Sequence, residues 1–141
     1  MKKVILTSLM LVGVFISSYG QNSNITVKVS EIEKTKGPIY FMLYKSSEGF
    51  PSENDKAYKS GKVENYGSNA TYTFKDVPKG EYAVAFYQDE NNNGEMDSNF
   101  LGIPKESVGA SNMTGFGKPS FKKSKFKLEG SDKTLNLKFV M

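Results

Sequence analysis

From about residue 24 onward, apolar side chains recur at every second position, and no stretch repeats every third or fourth residue for long enough to make a helix of standard length. In the clearest run, Tyr82, Val84 and Phe86 share one face, and Ala83, Ala85 and Tyr87 share the other. A period of two places alternate side chains on opposite faces of a strand. A chain patterned this way buries its apolar residues by stacking sheets.

The same reading places further strands. Ile25, Val27 and Val29 alternate with polar residues over about 24–31. After the turn residues Lys36-Gly37-Pro38, Ile39, Phe41 and Leu43 interleave with Tyr40, Met42 and Tyr44. Both faces are apolar there, which predicts a central strand covered on both sides. Tyr72 and Phe74 mark a strand over 70–75, and Val77-Pro78-Lys79-Gly80 is a tight turn. Phe126 and Leu128 resume alternation, followed by Gly130-Ser131-Asp132 and then Leu135, Leu137 and Phe139. These last two segments read as a hairpin. Residues 46–62 read as a loop with a short helical turn near 52–58. Residues 88–120 are rich in Asn, Gly and Ser with little periodicity, and a loop of that length in a small domain points to function. The expected fold is all-β: an antiparallel β-sandwich, immunoglobulin-like or prealbumin-like, of about seven strands with one long loop.

The first twenty residues do not belong to that pattern. Lys2 and Lys3 precede an apolar run over 4–16, and Ser18-Tyr19-Gly20 puts small residues at −3 and −1 of a cleavage site before Gln21. Residues 1–20 are therefore read as a signal peptide, and 21–141 as a single β-sandwich domain. The run falls short of the about 20 residues a spanning helix needs, so no transmembrane anchor is expected after cleavage. With no Cys after the run, a lipid anchor is not expected either. Export to the periplasm, the cell surface or the medium follows.

Export turns composition into a constraint. The chain has no Cys, so it cannot staple itself with disulfides as many small exported domains do. With no His either, the commonest general base, the thiol nucleophile and the usual zinc and copper ligands are missing. All 19 basic residues are Lys, and two of them lie in the signal, leaving 17 against 15 acidic residues. Base readout and bidentate phosphate binding favour Arg, so no nucleic-acid partner is expected.

One stretch carries chemistry: Asp89-Glu90-Asn91-Asn92-Asn93-Gly94-Glu95-Met96-Asp97. Oxygen-bearing side chains stand at relative positions 1, 3, 5, 7 and 9, with Gly at 6, as at the front of a calcium loop. Alternate residues of a tightly curled chain can aim oxygens at one centre, and calcium takes six to eight of them. The expected ligands are the side chains of Asp89, Asn91 and Asn93, the backbone carbonyl of Glu95, and Asp97 directly or through water. Position 12 is Phe100 where a bidentate Glu is usual. Glu106, a bidentate Asp97 or water are the open sources for the missing oxygen. Calcium is the expected cofactor, with a structural task and an affinity of ~10⁻⁴–10⁻³ M. The plainer reading is a polar hairpin tip, since Asn, Asp and Gly dominate turns without any metal.

The residues Phe74-Lys75-Asp76-Val77-Pro78-Lys79-Gly80-Glu81-Tyr82, the loop at 89–97, Leu101-Gly102-Ile103-Pro104-Lys105-Glu106, Gly109-Ala110-Ser111-Asn112 and Pro119-Ser120-Phe121 together resemble DUF2141. That resemblance implies an exported bacterial protein of the Bacteroidetes type and carries no activity with it. The turn before Tyr82 is similar to that of transthyretin-like and Cna-B-type sandwiches. The Asn-rich loop is similar to calcium loops of B-type adhesin domains. Both likenesses imply a sandwich that holds calcium structurally.

Three other constellations offer candidate chemistry. Lys118, Lys122, Lys123, Lys125 and Lys127 form a basic stripe around Phe121 and Phe126, read as a contact for anionic polymers or, more simply, as a solvated strand face. Tyr40, Tyr44 and Tyr87 offer a second aromatic face for sugar stacking, although aromatics at alternating strand positions usually form core. Glu90, Glu95, Asp97 and Glu106 could pair for glycoside hydrolysis. Carboxylates in an Asn/Gly loop more often hold an ion or solvate a tip, so the chain is read as not an enzyme. The leading expectation is a calcium-ordered exported module with a binding or structural role in the cell envelope. The alternative is a carbohydrate- or envelope-polymer-binding module. No partner is identified, and an envelope polysaccharide or protein stays open as one.

Overall fold

In the computed structural model, residues 20–140 are described, so the expected signal peptide lies, apart from Gly20, outside the described residues. Eight strands run in the order β1 (Ser23–Ser30), β2 (Ile39–Tyr44), β3 (Lys59–Val63), β4 (Ala70–Val77), β5 (Gly80–Gln88), β6 (Val108–Ala110), β7 (Phe126–Leu128) and β8 (Lys133–Lys138). Helix among the described residues is limited to a 3-10 turn at Asn54–Lys56 and a single turn, α1, at Phe121–Ser124.

The strands make a two-sheet sandwich. One sheet has the order β4-β1-β8, and the other the order β3-β2-β5-β6, with β7 also paired to β5. Pairing is antiparallel throughout except between β1 and β8, which run parallel with Ile25 opposite Lys133 and Val29 opposite Leu137. The core between the sheets takes Ile25, Val27 and Val29 from β1, Phe41 and Leu43 from β2, Phe74 from β4, and Val84 and Phe86 from β5. Each such side chain contributes about 1.5–3 kcal/mol when fully buried.

Strand β2 is covered on both faces, as its pattern predicts, and so is β5. Met42, Tyr44, Ala85, Tyr87 and Val108 form a second core on the far face of the larger sheet. Among the described residues no third sheet covers them. Phe50 and Ala57 from the loop after β2, Met96 from the loop after β5, and Phe121 from α1 pack there instead.

Three expectations change. The segments at 126–128 and 133–138 do not form a hairpin: β7 joins β5 and β8 joins β1, so the chain changes sheets between them. Alternation reports which face is buried and says nothing about which strand is the neighbour, so the two pairings look alike in sequence. Lys59–Val63, all but its last residue within the stretch expected to be loop, is an edge strand, whose Lys-Ser-Gly-Lys composition hides it. The stretch read as structureless over 88–120 contains β6, only three residues long.

One gap in the ladder needs a side chain. The outer edge of β5 pairs with β7 over 80–82 and with β6 over 85–87, which leaves Val84 between them. Ser111 fills the gap. Its backbone N–H donates to the Val84 carbonyl at 2.9 Å, and its Oγ accepts the Val84 N–H at 2.9 Å. The hydroxyl also lies 2.6 Å from the Ser124 carbonyl, which ties α1 to the sheet. Replacing Ser111 with Ala leaves a buried N–H and a buried carbonyl short of a partner. The expected cost is about 1–3 kcal/mol in urea unfolding. A loss below about 0.5 kcal/mol, typical of a featureless surface site, would contradict this role.

Candidate functional site

Strand β5 runs directly into the 89–97 loop. The Asp89 N–H donates to the Pro38 carbonyl at 2.8 Å, so the strand pairing continues one step beyond β2. Gly37 packs so closely here that a Cβ would overlap the Asp89 carbonyl. The chain then curls. Asn92 has φ 58° and Gly94 has φ 80°, so the glycine supplies the left-handed residue that the sequence pattern required of it.

The curl is held by side chains turned inward. Asp89 is 0 % exposed; its Oδ1 accepts the Asn93 N–H at 3.1 Å and its Oδ2 accepts the Gly94 N–H at 2.8 Å. Asn91 Oδ1 accepts the Asn93 N–H at 3.3 Å, and Asn93 Oδ1 accepts the Glu95 N–H at 3.0 Å. The Asp97 carboxylate faces the side-chain amides of both Asn91 and Asn93, the latter at 3.1 and 3.3 Å. Asp89, Asn91, Asn93 and Asp97 thus belong to one hydrogen-bonded cluster. The Glu95 side chain is exposed, and this residue joins the cluster through its backbone N–H.

Glu106 has a role that spacing did not reveal. It is only 6 % exposed, and its two oxygens accept N–H groups from both ends of the loop: Glu90 at 3.0 Å and Asp97 at 3.1 Å. Glu106 is therefore a clamp that closes the loop. Burial pushes its carboxyl above the usual carboxylate range, the charges of Asp89 and Asp97 push the same way, and the two N–H bonds oppose them. A second tie comes from below: Asn54 Nδ2 donates to Tyr87 Oη at 3.0 Å, and Tyr87 Oη donates to the Gly94 carbonyl at 3.2 Å. Burial raises the Tyr87 hydroxyl pKa to about 12, so it stays protonated and able to donate at neutral pH.

Phe100 also finds its explanation. Asn99 Oδ1 accepts the N–H groups of Leu101 and Ile103 at 2.9 and 3.0 Å, and Ser98 bridges Pro104. Residues 98–104 are thus a tight hairpin with Phe100 at its tip, 95 % exposed. The chain has turned away before the position where a calcium loop would bring back its last carboxylate.

Negative charge in the loop is left largely uncompensated by lysine. Among the described residues, Glu90 makes one long ion pair with Lys36 at 3.9 Å, and no ion pair involves Asp89, Glu95, Asp97 or Glu106. Nor do three carboxylates among the described residues converge as a metal cage by themselves. The cluster is mixed, two Asp with two Asn, and a cation seated there would take oxygens of both kinds.

The other constellations are mainly structural. Tyr44 and Tyr87 are buried in the second core and Tyr40 stacks on Tyr87 with ring centroids 5.2 Å apart, so Tyr44 and Tyr87 offer no exposed face to a sugar. In the lysine stripe Phe121 packs on the second core and Phe126 on the first, and Lys125 pairs with Glu81 at 2.9 Å. Lys122, Lys123 and Lys127 are solvated.

A family model described as "Uncharacterized protein conserved in bacteria (DUF2141)" matches residues 27–136, from β1 to β8 and through the whole loop. The chain belongs to the DUF2141 family. No curated protein and no solved structure matches this DUF2141 chain at a significant level. The loop and Glu106 lie within the family match, so the clamp described above belongs to the family domain itself.

Removing Asp89 or Glu106 tests the clamp. Asp89→Ala strands the Gly94 N–H and leaves the Asn93 N–H only its 3.3 Å bond to Asn91, and Glu106→Ala strands the N–H groups of Glu90 and Asp97; each is expected to cost about 1–3 kcal/mol in chemical unfolding. Because both release the same loop, the double variant should lose clearly less than the sum. Additivity within about 0.5 kcal/mol would mean that the two act independently.

Proposed function

We propose that this is an exported, non-enzymatic β-sandwich domain that binds calcium at the 89–97 loop, that the ion orders the loop, and that the ordered loop serves a binding or structural role in the cell envelope. The carrying observation is a fully buried Asp89 in one hydrogen-bonded cluster with Asp97, where no lysine among the described residues pairs with either carboxylate. Buried charge is costly unless it is paired or coordinated. A divalent cation among Asp89, Asn91, Asn93 and Asp97 supplies that pairing. It requires the Asn91 and Asn93 amides, whose N–H₂ groups now face Asp97, to turn their oxygens toward the ion. Asp89 and Asp97 then supply the charged side-chain oxygens, the Glu95 carbonyl adds a backbone ligand, and water completes the shell. Glu106 stays on its two N–H groups.

Calcium fits better than a softer metal, because the donor set is all oxygen and the chain has neither His nor Cys. Support for export comes from the basic, apolar and small-residue order of the first twenty residues. Among the described residues no helix is long and apolar enough to cross a membrane. In a domain without disulfides, an ion at ten times its Kd contributes about 1.4 kcal/mol.

The test is thermal unfolding of the purified protein with and without millimolar calcium, with magnesium as control. Calcium should raise Tm by several degrees and magnesium by much less, since magnesium demands a stricter octahedral shell. Asp97→Asn should abolish the shift while leaving the calcium-free Tm nearly unchanged. An unchanged Tm at millimolar calcium would sink the proposal.

A further inference from the structure

A cavity of about 420 Å³ opens on the far face of the larger sheet, within the size range of small-molecule sites. Its floor is Ala85, Tyr87 and Val108, where the small Ala85 keeps the sheet surface low. One wall is the 98–104 hairpin with Leu101 and Ile103; the other is the 113–119 segment with Met113 and Phe116. Leu101 is 68 % exposed and Phe116 79 %, although both line the cavity. Large apolar side chains left open around a concave apolar floor mark a surface that something covers.

The lining selects the ligand. It is mainly aliphatic, with Met96 and Met113 as adaptable thioethers. Its polar side chains are few, which disfavours a sugar, whose hydroxyls need several partners. No carboxylate lines the cavity, and its one charged lining residue is the exposed Lys118. We infer that this groove binds a single-chain anionic amphiphile, such as a fatty acid, with its alkyl chain between Leu101 and Phe116 and its head group at Lys118. The chain covers the exposed leucine and phenylalanine, and the head stays at the solvent edge, where a lysine meets it without burying a charge. This inference does not rest on calcium binding. The two sites share Met96, which belongs to the loop and lines the groove, and Tyr87, whose hydroxyl is tied to the Gly94 carbonyl.

Isothermal titration of the purified protein with decanoate, below its micelle threshold and in calcium-free buffer, should give saturable one-to-one binding. Leu101→Ser/Phe116→Ser should weaken it by roughly tenfold or more, the loss of apolar burial on both walls. Both side chains are largely exposed, so the unfolding midpoint of that variant should match the parent and separate lost binding from lost folding. Lys118→Glu should weaken decanoate and leave decanol unchanged. Three results would overturn the assignment: no saturable decanoate binding, binding indifferent to Leu101→Ser/Phe116→Ser, or adsorption to phosphatidylglycerol vesicles without binding monomeric decanoate. The last would assign the patch to a membrane surface.

Discussion

Strand β5 has no solvent face. From Tyr82 to Gln88 every side chain is buried, so the chain must supply a cover on each side of it. The β4-β1-β8 sheet is one cover. The other must come from connections, because every strand of that smaller sheet is spent on the first face. Two long loops and one helical turn therefore behave as a third layer. Such segments have no ladder to hold them, and they need fixings of their own. Ser111, Tyr87 and Glu106 are those fixings, each using a side chain to satisfy backbone groups that a strand would have satisfied for itself, and Asn54 holds Tyr87 by donating to its hydroxyl.

The 89–97 loop is the most demanding part of that layer. It carries five carboxylates with its clamp included, and two of these, Asp89 and Glu106, are buried. Backbone N–H groups stabilise them, but N–H groups carry only partial charges. What the loop then positions lies beyond it. The Lys105 N–H donates to the Asp97 carbonyl at 2.9 Å, so the 98–104 hairpin starts and ends on the clamped loop. Leu101 and Ile103 owe their place above the second core to that chain of attachments.

The strands with strong alternation were legible in sequence because burial on alternate positions leaves a period-two trace: β1, β2, β4, β5 and β8 all show it. Strand β3 left none, since an edge strand of Lys, Ser and Gly buries too little to leave an apolar pattern. The loop cluster was legible in its residue types and spacing, and Asp89, Asn91, Asn93 and Asp97 do assemble. Glu106 was visible as a carboxylate but not as a clamp. Its partners are backbone N–H groups, which every residue but Pro carries, so nothing in the residue types marks them. Leu101 and Phe116 were hidden for a related reason: neither falls in an alternating run, and only the fold brings their loops to opposite sides of one floor.

The parallel pairing of β1 with β8 has a consequence for how the fold is reached in time. The central strand of the smaller sheet meets its first neighbour, β4, about fifty residues later and its second more than a hundred residues later, with Ile25 opposite Phe74 on one side and Lys133 on the other. No amino-terminal fragment can finish that sheet. Contacts of such long sequence separation carry a large loop-closure cost before they return any stabilisation, and they slow folding. The domain therefore assembles late and as a whole, once its last strand is present.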